Sequence, residues 1–460
     1  MNIYIHLENI IRELDNKLLL ATIAASRGHE VIISDLESIE KGIKRGLLAP
    51  GIFHTKSLTP TKHKIHRHKT IIEKGSLITS IDEEGGLVNR DYEQFVNDRY
   101  SEETIKDASA IFCWGTNDTE TLKKIHSQYS SKIHQTGSPR VDLWKSDFSN
   151  YWGTPKSMPK KPFLLIVSNM SHANYAKSFK NIIKRQKENG LYEFKPKMFL
   201  KMFVTASDQY LTIRSFIEAI QYLSEHNKDF DIVLRPHQNE DVDSWKLYLE
   251  GIPNVHVIRE GSITGWINNA FAVMHNGCTS ALESTISKKP ILTYVPNKQE
   301  LFGNDLPNEL GFKIESKNDL LSKVNEIFNS LKSNNDIVFD KHLPEQVAEK
   351  IYIDNDELSA LKIIKHWENL SKNQKNSPKL TNWILFKLHL KVMKINGIRN
   401  KVFNSLLSRK FNFKKDNYKF PPFNGKDIYT RVEKLQEVLK MKKNLECKLL
   451  SDRTVLIKSR

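Results

Sequence analysis

Two stretches carry the clearest chemical signals. In the first, the apolar run from Asp231 ends directly on Arg235-Pro236-His237. A guanidinium and an imidazole at the carboxyl end of a strand suit a phosphate or a sugar, because open α/β sheets bind ligands at that edge. In the second, the run from Ala272 passes through His275-Asn276-Gly277-Cys278-Thr279-Ser280 and reaches Glu283. Gly277 lets a ligand approach the backbone closely. Thr279 and Ser280 offer hydroxyls beside the free amides of a starting helix, where an anion is stabilised. Glu283 would reach a ribose hydroxyl from the first or second turn. The plain alternatives are a surface loop in the first case and an ordinary helix cap, with Cys278 in the core, in the second.

A third stretch, Ser80-Ile81-Asp82-Glu83-Glu84-Gly85-Gly86, sets three acids in a row before a glycine turn. Crowded carboxylates repel, which raises one pKa and leaves a usable base or nucleophile. A solvated acidic loop is the alternative. Glu8, Arg12, Glu13, Asp15 and Lys17 cluster at the start of the first helix. They read either as one wall of a cleft or as a solvated face with pairs such as Glu13 and Lys17. The histidines of 62–69 are interleaved with lysine and arginine, which disfavours a divalent ion and favours a solvated basic segment. The chain has no convincing DxD pair and no GxxxxGK[ST] loop, so metal-dependent single-domain glycosyl transfer and P-loop chemistry are disfavoured.

Alternating strands and helices must position these groups. Residues 3–5 open a strand, 9–27 keep helical spacing with Gly28 as a C-terminal cap, and 31–33 form the next strand. Strands are expected at 51–53, 77–81 and 110–113. The proline-rich, polar stretch 145–162 reads as a linker. The pattern restarts with a strand at 163–167, a helix near 208–226, strands at 231–234, 255–258, 273–274 and 290–294, and a helix at 317–333. This is the pattern of α/β domains with parallel sheets. The expected domains are 1–150, 160–370 and a tail, 378–460.

The chain has 460 residues, enough for about three domains. Residues 371–460 hold 23 Lys and Arg against 6 Asp and Glu, so the tail carries the whole basic excess and the body is balanced. Nucleic-acid enzymes more often spread basic residues through their main domains, so an anionic surface is the expected partner and nucleic acid is not. Ile384, Leu388, Val392, Ile395, Val402 and Leu406 recur at helical spacing, with Lys387, Lys391, Lys394 and Lys401 on a neighbouring stripe. That predicts a basic amphipathic helix over 382–411, whole or broken near Asn396-Gly397, and a second over 431–449. The helices would dock on a membrane or pack back onto the domains. The three cysteines, Cys113, Cys278 and Cys447, are far apart, which fits a reducing cytosol. Neither a membrane span nor a secretory signal is expected.

Several of these segments together resemble a known group. They are Arg12-Glu13-Leu14-Asp15, the Arg27-Gly28-His29 before a strand, His54-Thr55-Lys56-Ser57, Ile81–Gly85, Thr136-Gly137-Ser138-Pro139-Arg140 with Asp142, and His275–Ser280 with Glu283. The chain resembles bacterial surface-carbohydrate (capsule and O-antigen) glycosyltransferases of the GT-B type over roughly residues 1–370. Arg235-Pro236-His237 and Thr279-Ser280 are also similar to the His-Pro and Ser-Ser pairs of Kdo, sialyl and glycerol-phosphate transferases, which use cytidine nucleotides. Gln238 and Cys278 depart from that pattern.

The resemblance implies two Rossmann-like domains facing a cleft, followed here by a basic helical tail. It implies a nucleotide-sugar donor, a CMP-linked Kdo or nonulosonic acid being favoured, held without cofactor or metal by Arg235, His237, His275, Asn276, Gly277, Thr279, Ser280 and Glu283. One of Asp82, Glu83 or Glu84 would be base or nucleophile, and Arg12, Glu13 and Lys56 would line the acceptor side. The acceptor would be a lipid-linked glycan or polysaccharide at the inner face of the cytoplasmic membrane. A sugar-nucleotide 2-epimerase of the same fold is the second reading. A non-catalytic glycan- or nucleic-acid-binding protein is the third.

Overall fold

The computed structural model describes residues 1–87, 92–176, 178–188, 198–297, 306–333, 344–372, 381–407, 420–442 and 444–460. Its strands, in chain order, are β1 (Asn2–His6), β2 (Glu30–Ser34), β3 (Ile52–Thr55), β4 (Leu77–Ile81), β5 (Ala108–Cys113) and β6 (Ile133–Gln135). Then come β7 (Phe163–Val167), β8 (Asp231–Arg235), β9 (Val255–Val257), β10 (Ala272–His275), β11 (Ile291–Tyr294) and β12 (Phe312–Ile314). The last two are β13 (Leu445–Ser451) and β14 (Thr454–Ser459). The chain forms two compact units. Unit 1 is Met1–Leu143 with Ala348–Arg460, and unit 2 is Trp144–Val347.

Unit 1 is built on one sheet in the order β13-β14-β2-β1-β3-β4-β5-β6. From β2 to β6 all pairings are parallel. These strands are short β-branched runs buried along most of their length, as a sheet covered on both faces requires. The chain runs β1 to β2, then returns past β1 to β3, so the order reverses between β1 and β3. The hairpin β13–β14 closes the open edge, with β14 antiparallel to β2 and Val455 opposite Ile33. An uncovered β2 would leave a row of unpaired backbone groups.

Unit 2 has a six-stranded sheet, all parallel, in the order β12-β11-β10-β7-β8-β9. Here the order reverses between β7 and β10. One core face joins Leu164, Ile166, Phe216, Leu234, Met274 and Leu292. The helix Met198–His226 covers it, beginning ten residues before the expected start.

The central strands stand where the sequence places them, and two domain boundaries move. Trp144 and the turn Ser149–Trp152 belong to unit 2, where the Trp144 carbonyl accepts from Ser287 Oγ at 2.9 Å. Residues 348–370 were expected in the second domain but belong to unit 1. There the Asp142 carboxylate accepts the amides of Ser359 and Ala360 at 3.1 and 2.9 Å, capping the helix Ser359–Lys372. The Thr136–Asp142 segment thus serves as a seat for the returning chain.

The tail is likewise part of unit 1, and it is not purely helical. Residues 431–449 divide into the end of a helix, Gly425–Val438, and the start of β13, because Cys447, Leu449 and their neighbours alternate with period two rather than 3.6. The helix Trp383–Leu407 runs unbroken past Asn396-Gly397. The side chains of Lys401, Val402 and Leu406, and residues 408–411, lie outside the described part. That helix enters through Thr381, whose Oγ1 accepts the Ala49 amide at 3.2 Å. Its Phe386 is fully buried against Gly42, where an added Cβ would meet the ring at 2.7 Å.

This packing predicts an asymmetry between neighbours. Phe386→Ala should cost about 3–5 kcal/mol, as for other buried aromatics. Ile384→Ala, two residues away and 81% exposed, should change stability by less than about 0.5 kcal/mol. Urea unfolding of the two variants measures both.

Candidate functional site

In unit 1 the carboxyl ends of β1, β3 and β4 meet the start of the helix Ile10–Ser26, and the charged residues read from the sequence gather there. Glu13, fully buried, turns back to accept the amides of Glu8 and Asn9 at 3.0 and 3.2 Å, closing the first helical turn. Lys56, just past β3, binds Glu8 at 2.5 Å and approaches Glu13 at 3.8 Å. Burial alone would raise the Glu13 carboxyl. Lys56, the two amides and Lys17 outweigh it and hold Glu13 below its usual range. Arg12, Glu13 and Lys56 therefore do meet at the strand-order reversal between β1 and β3, the position where such sheets bind ligands.

The three acids after β4 differ sharply from one another. Glu83 is buried, ion-paired with the fully buried Lys17, and accepts from Asn16 Nδ2 at 3.2 and 3.4 Å. Glu84 is held between Arg12, at 3.1 Å, and Arg99, which keep its carboxyl below its usual range against the opposing effect of burial. Asp82 is buried, and its Oδ2 has no hydrogen-bond partner. Its nearest cation is Arg99, at 3.7 Å. Burial raises its pKa, with Arg99 and the Glu84 amide opposing and the two neighbouring glutamates reinforcing. Of the three, Asp82 is the one with a buried oxygen that lacks a hydrogen-bond partner. Glu83 and Glu84 are engaged by cations and serve the loop.

In unit 2 the strand-order reversal lies between β7 and β10. Asn169, after β7, donates from Nδ2 to the Gly277 carbonyl at 3.0 Å. Gly277 has φ +62 and gives its own amide to Asn308 Oδ1 at 2.6 Å. Asn276 is used internally, donating to the Tyr294 carbonyl at 2.8 Å. His275 is fully buried: Nδ1 accepts the Cys278 amide at 3.5 Å and Nε2 donates to Thr293 Oγ1 at 3.0 Å. Burial lowers its pKa to about 3, so it is a neutral structural histidine. Thr279 is exposed, makes no side-chain cap bond and precedes a helix of only 7 residues, Ser280–Ile286. Ser280 Oγ is buried without a nitrogen or oxygen partner and has the Cys278 thiol as a soft neighbour. Glu283 accepts from Thr264 Oγ1.

Arg235 and His237 divide in the same way. Arg235 spends its guanidinium on the backbone carbonyls of Glu260, at 2.5 Å, and Gly261. Burial lowers its pKa to about 10, with Glu283 opposing. It holds a loop and is not directed to a ligand. His237 is half-buried, and its Nδ1 takes the Asn239 amide at 3.3 Å and Ser171 Oγ at 3.1 Å. That assigns the proton to Nε2, which is left to donate. Burial and then Arg259 lower its pKa.

Sequence reasoning missed Asn16, Arg99 and Glu240. Glu240 is fully buried and binds Ser168 Oγ at 2.8 Å, the Met170 amide at 2.7 Å and Trp245 Nε1 at 2.6 Å, tying the ends of β7 and β8 together. An acid three residues beyond Arg235-Pro236-His237 was the available signal. Asn16 and Lys17 lie on the helical face that carries Glu13, one turn along.

No protein-family model matches the chain, and no curated protein does. Among solved structures it is similar to a UDP-GlcNAc 2-epimerase from Methanocaldococcus jannaschii, with TM-score 0.49, 13% identity, and coverage of 80% of this chain and 100% of that one. It is also similar to a UDP-GlcNAc 2-epimerase from Neisseria meningitidis bound to UDP-GlcNAc (TM-score 0.43, 14% identity, coverage 81% and 100%). A glycosyltransferase from Rickettsia africae gives TM-score 0.41 and 13% identity, with coverage of 81% and 98%. At these identities the likeness is one of fold and assigns no activity.

Two outcomes follow from the unit 1 charges. Lys17→Met strands a buried carboxylate and should cost about 3–5 kcal/mol, whereas Lys17→Met with Glu83→Leu should recover most of it. A chemical-denaturation double-mutant cycle reads both. The raised Asp82 pKa means that ionisation of this group opposes folding. The penalty is absent below its ordinary value of 3.8, grows as pH rises to the folded-state pKa and is then constant. Asp82→Asn should therefore raise Tm at pH 7, and the gain should shrink as pH falls toward 4.

Proposed function

We propose that the chain is a glycosyltransferase of surface-polysaccharide synthesis. Unit 2 holds a nucleotide-activated sugar, and Asp82 of unit 1 acts on the acceptor. The observation that carries this reading is the edge of unit 2 between β7 and β10. Its backbone groups are tied by Asn169 and Asn308, its buried Ser280 hydroxyl has the Cys278 thiol beside it and no nitrogen or oxygen partner, and at the end of β8 His237 Nε2–H is left over. A site with spare donors and a fixed backbone suits a phosphate oxygen whose charge grows as the glycosidic bond breaks.

The chemistry is a displacement at the anomeric carbon. The acceptor hydroxyl forms the new bond, and the bond to the nucleotide phosphate breaks. Asp82, as carboxylate, takes the hydroxyl proton, and Ser280 and His237 donate to the departing phosphate. The raised Asp82 pKa favours this, because it makes the carboxylate a stronger proton acceptor than an ordinary aspartate. No metal takes part in this reading. Its donor is a CMP-linked Kdo or nonulosonic acid, as the similarity of Arg235-Pro236-His237 and Thr279-Ser280 to cytidine-nucleotide enzymes implies. The acceptor is a polysaccharide or lipid-linked glycan. Such donors are cytoplasmic, and the reading places the protein there.

Thermal unfolding of the full chain with CMP, CDP, UDP and GDP tests the donor site. A ligand at 100 times its Kd adds about 2.7 kcal/mol of stability. CMP is expected to stabilise, and Ser280→Ala and His237→Ala should each weaken the effect. Asp82→Asn should keep it while lowering transfer by about 100-fold or more. Stabilisation by UDP alone, with conversion of UDP-GlcNAc in the absence of any acceptor, would replace the transferase by a 2-epimerase. No stabilisation by any of the four would sink the donor site.

A further inference from the structure

The helix Trp383–Leu407 has two apolar faces, and unit 1 uses only one. Phe386 and Leu390 are buried in the core of that unit, and His389 is buried on the same side. The opposite face lies open: Ile384 is 81% exposed, Leu388 56%, Val392 43% and Ile395 62%. Their spacing of i, i+4, i+8 and i+11 makes one stripe along the helix. An open stripe of large aliphatic residues is unusual on a protein that stays in water.

Charge lies beside the stripe. Lys387, Lys391 and Lys394 follow its flank, and Lys448 of β13 joins Lys387 and Lys391 around Ile384 and Leu388. The acidic groups near this helix are already matched. Glu37 pairs with Lys41 at 2.6 Å and Asp452 with Lys394 at 3.2 Å. Among the described residues Lys387, Lys391 and Lys448 have no acidic partner. The result is an apolar stripe with an uncompensated basic border.

We propose that this face of the helix Trp383–Leu407 docks the protein on an anionic lipid surface. The inference does not rest on the glycosyltransferase reading. The helix lies flat, its aliphatic stripe enters the boundary between headgroups and acyl chains, and the lysines reach outward to the phosphates. Charge decides between occupants: an apolar groove alone would suit a second protein chain, whereas a lysine border with no acid left to share matches anionic headgroups. The buried apolar residues of the helix Gly425–Val438 and of the hairpin β13–β14 are committed to unit 1, so the hairpin adds charge, through Lys448, and not apolar surface.

Co-sedimentation of the full chain tests this, with vesicles of phosphatidylcholine plus phosphatidylglycerol and with vesicles of phosphatidylcholine alone. Binding is expected to the anionic vesicles only, and to weaken as salt is raised. Each lysine near a membrane contributes about 1 kcal/mol, so Lys387→Gln with Lys391→Gln should weaken binding by about thirty-fold. Ile384→Ser with Leu388→Ser should abolish it. All four residues are exposed, so circular dichroism and Tm of both variants should match the parent. Absence of binding, or binding unchanged by either variant, overturns the proposal. So does a concentration-dependent dimer that Ile384→Ser with Leu388→Ser dissolves while vesicle binding is absent, since the face would then be a protein interface. Vesicle binding with no nucleotide response would leave this proposal standing and remove the donor site alone.

Discussion

Lys17 sits fully buried on the first helix, and the Glu83 carboxylate meets it from the loop after β4. Neither charge could stay in that position alone, because an isolated buried ion costs several kcal/mol. The pair therefore helps to fix the distance between the helix Ile10–Ser26 and the loop after β4. The rest of the unit 1 edge follows from it. With Glu83 turned inward, Glu84 emerges between Arg12 and Arg99, and Asp82 is left buried with one oxygen unsatisfied. The two adjacent glutamates take the closer contacts with Lys17, Arg12 and Arg99, and among the described residues Asp82 keeps only Arg99, at 3.7 Å.

Unit 2 fixes its edge through bonds to backbone groups, a hydroxyl and an indole. Glu240 spends its oxygens on the Ser168 hydroxyl, the Met170 amide and the Trp245 indole, Arg235 binds two backbone carbonyls, and Asn308 Oδ1 takes the Gly277 amide. A loop whose amides and carbonyls are tied in this way does not rearrange to suit a ligand. Preorganised donors count for more than flexible ones, because nothing must be ordered when charge develops. Among the described residues, the groups left unspent at this edge include the Ser280 hydroxyl, Asn308 Nδ2 and the outer nitrogen of His237. The conspicuous residues of both motifs, Arg235 and His275, turn out to hold the frame that presents the less conspicuous ones.

That inversion marks the limit of what the sequence shows. Strands such as β4 and β7 are legible because buried parallel strands are continuous β-branched and apolar runs. The positions of the candidate groups at strand ends are legible for the same reason. Which of three adjacent acids keeps an unpartnered oxygen is not, since that depends on Lys17 and Arg99, brought in from the helices Ile10–Ser26 and Tyr92–Arg99. The return of 348–372 to unit 1 is hidden too, because it is made by partners more than two hundred residues apart, such as Asp142 with the Ser359 and Ala360 amides, Trp367 with Thr79 and Arg27 with Glu368. The hairpin β13–β14 is masked by its lysines, which give a strand facing solvent the composition of a basic helix.

Those same lysines bear on how the basic excess of the tail is used. The fold needs the tail for its apolar half: Val455 and Ile457 cover the edge at β2, and Phe386 fills the space above Gly42. Packing of this kind asks nothing of the charge on the outer side, where glutamate and lysine in equal number would serve solubility as well. An excess of one sign on a segment already held by its core is therefore not explained by folding. It destabilises the segment slightly through self-repulsion, and a surface of opposite sign relieves repulsion of that kind. The open stripe beside Lys387 and Lys391 supplies the apolar half of the same requirement, and a lipid surface of negative charge meets both together.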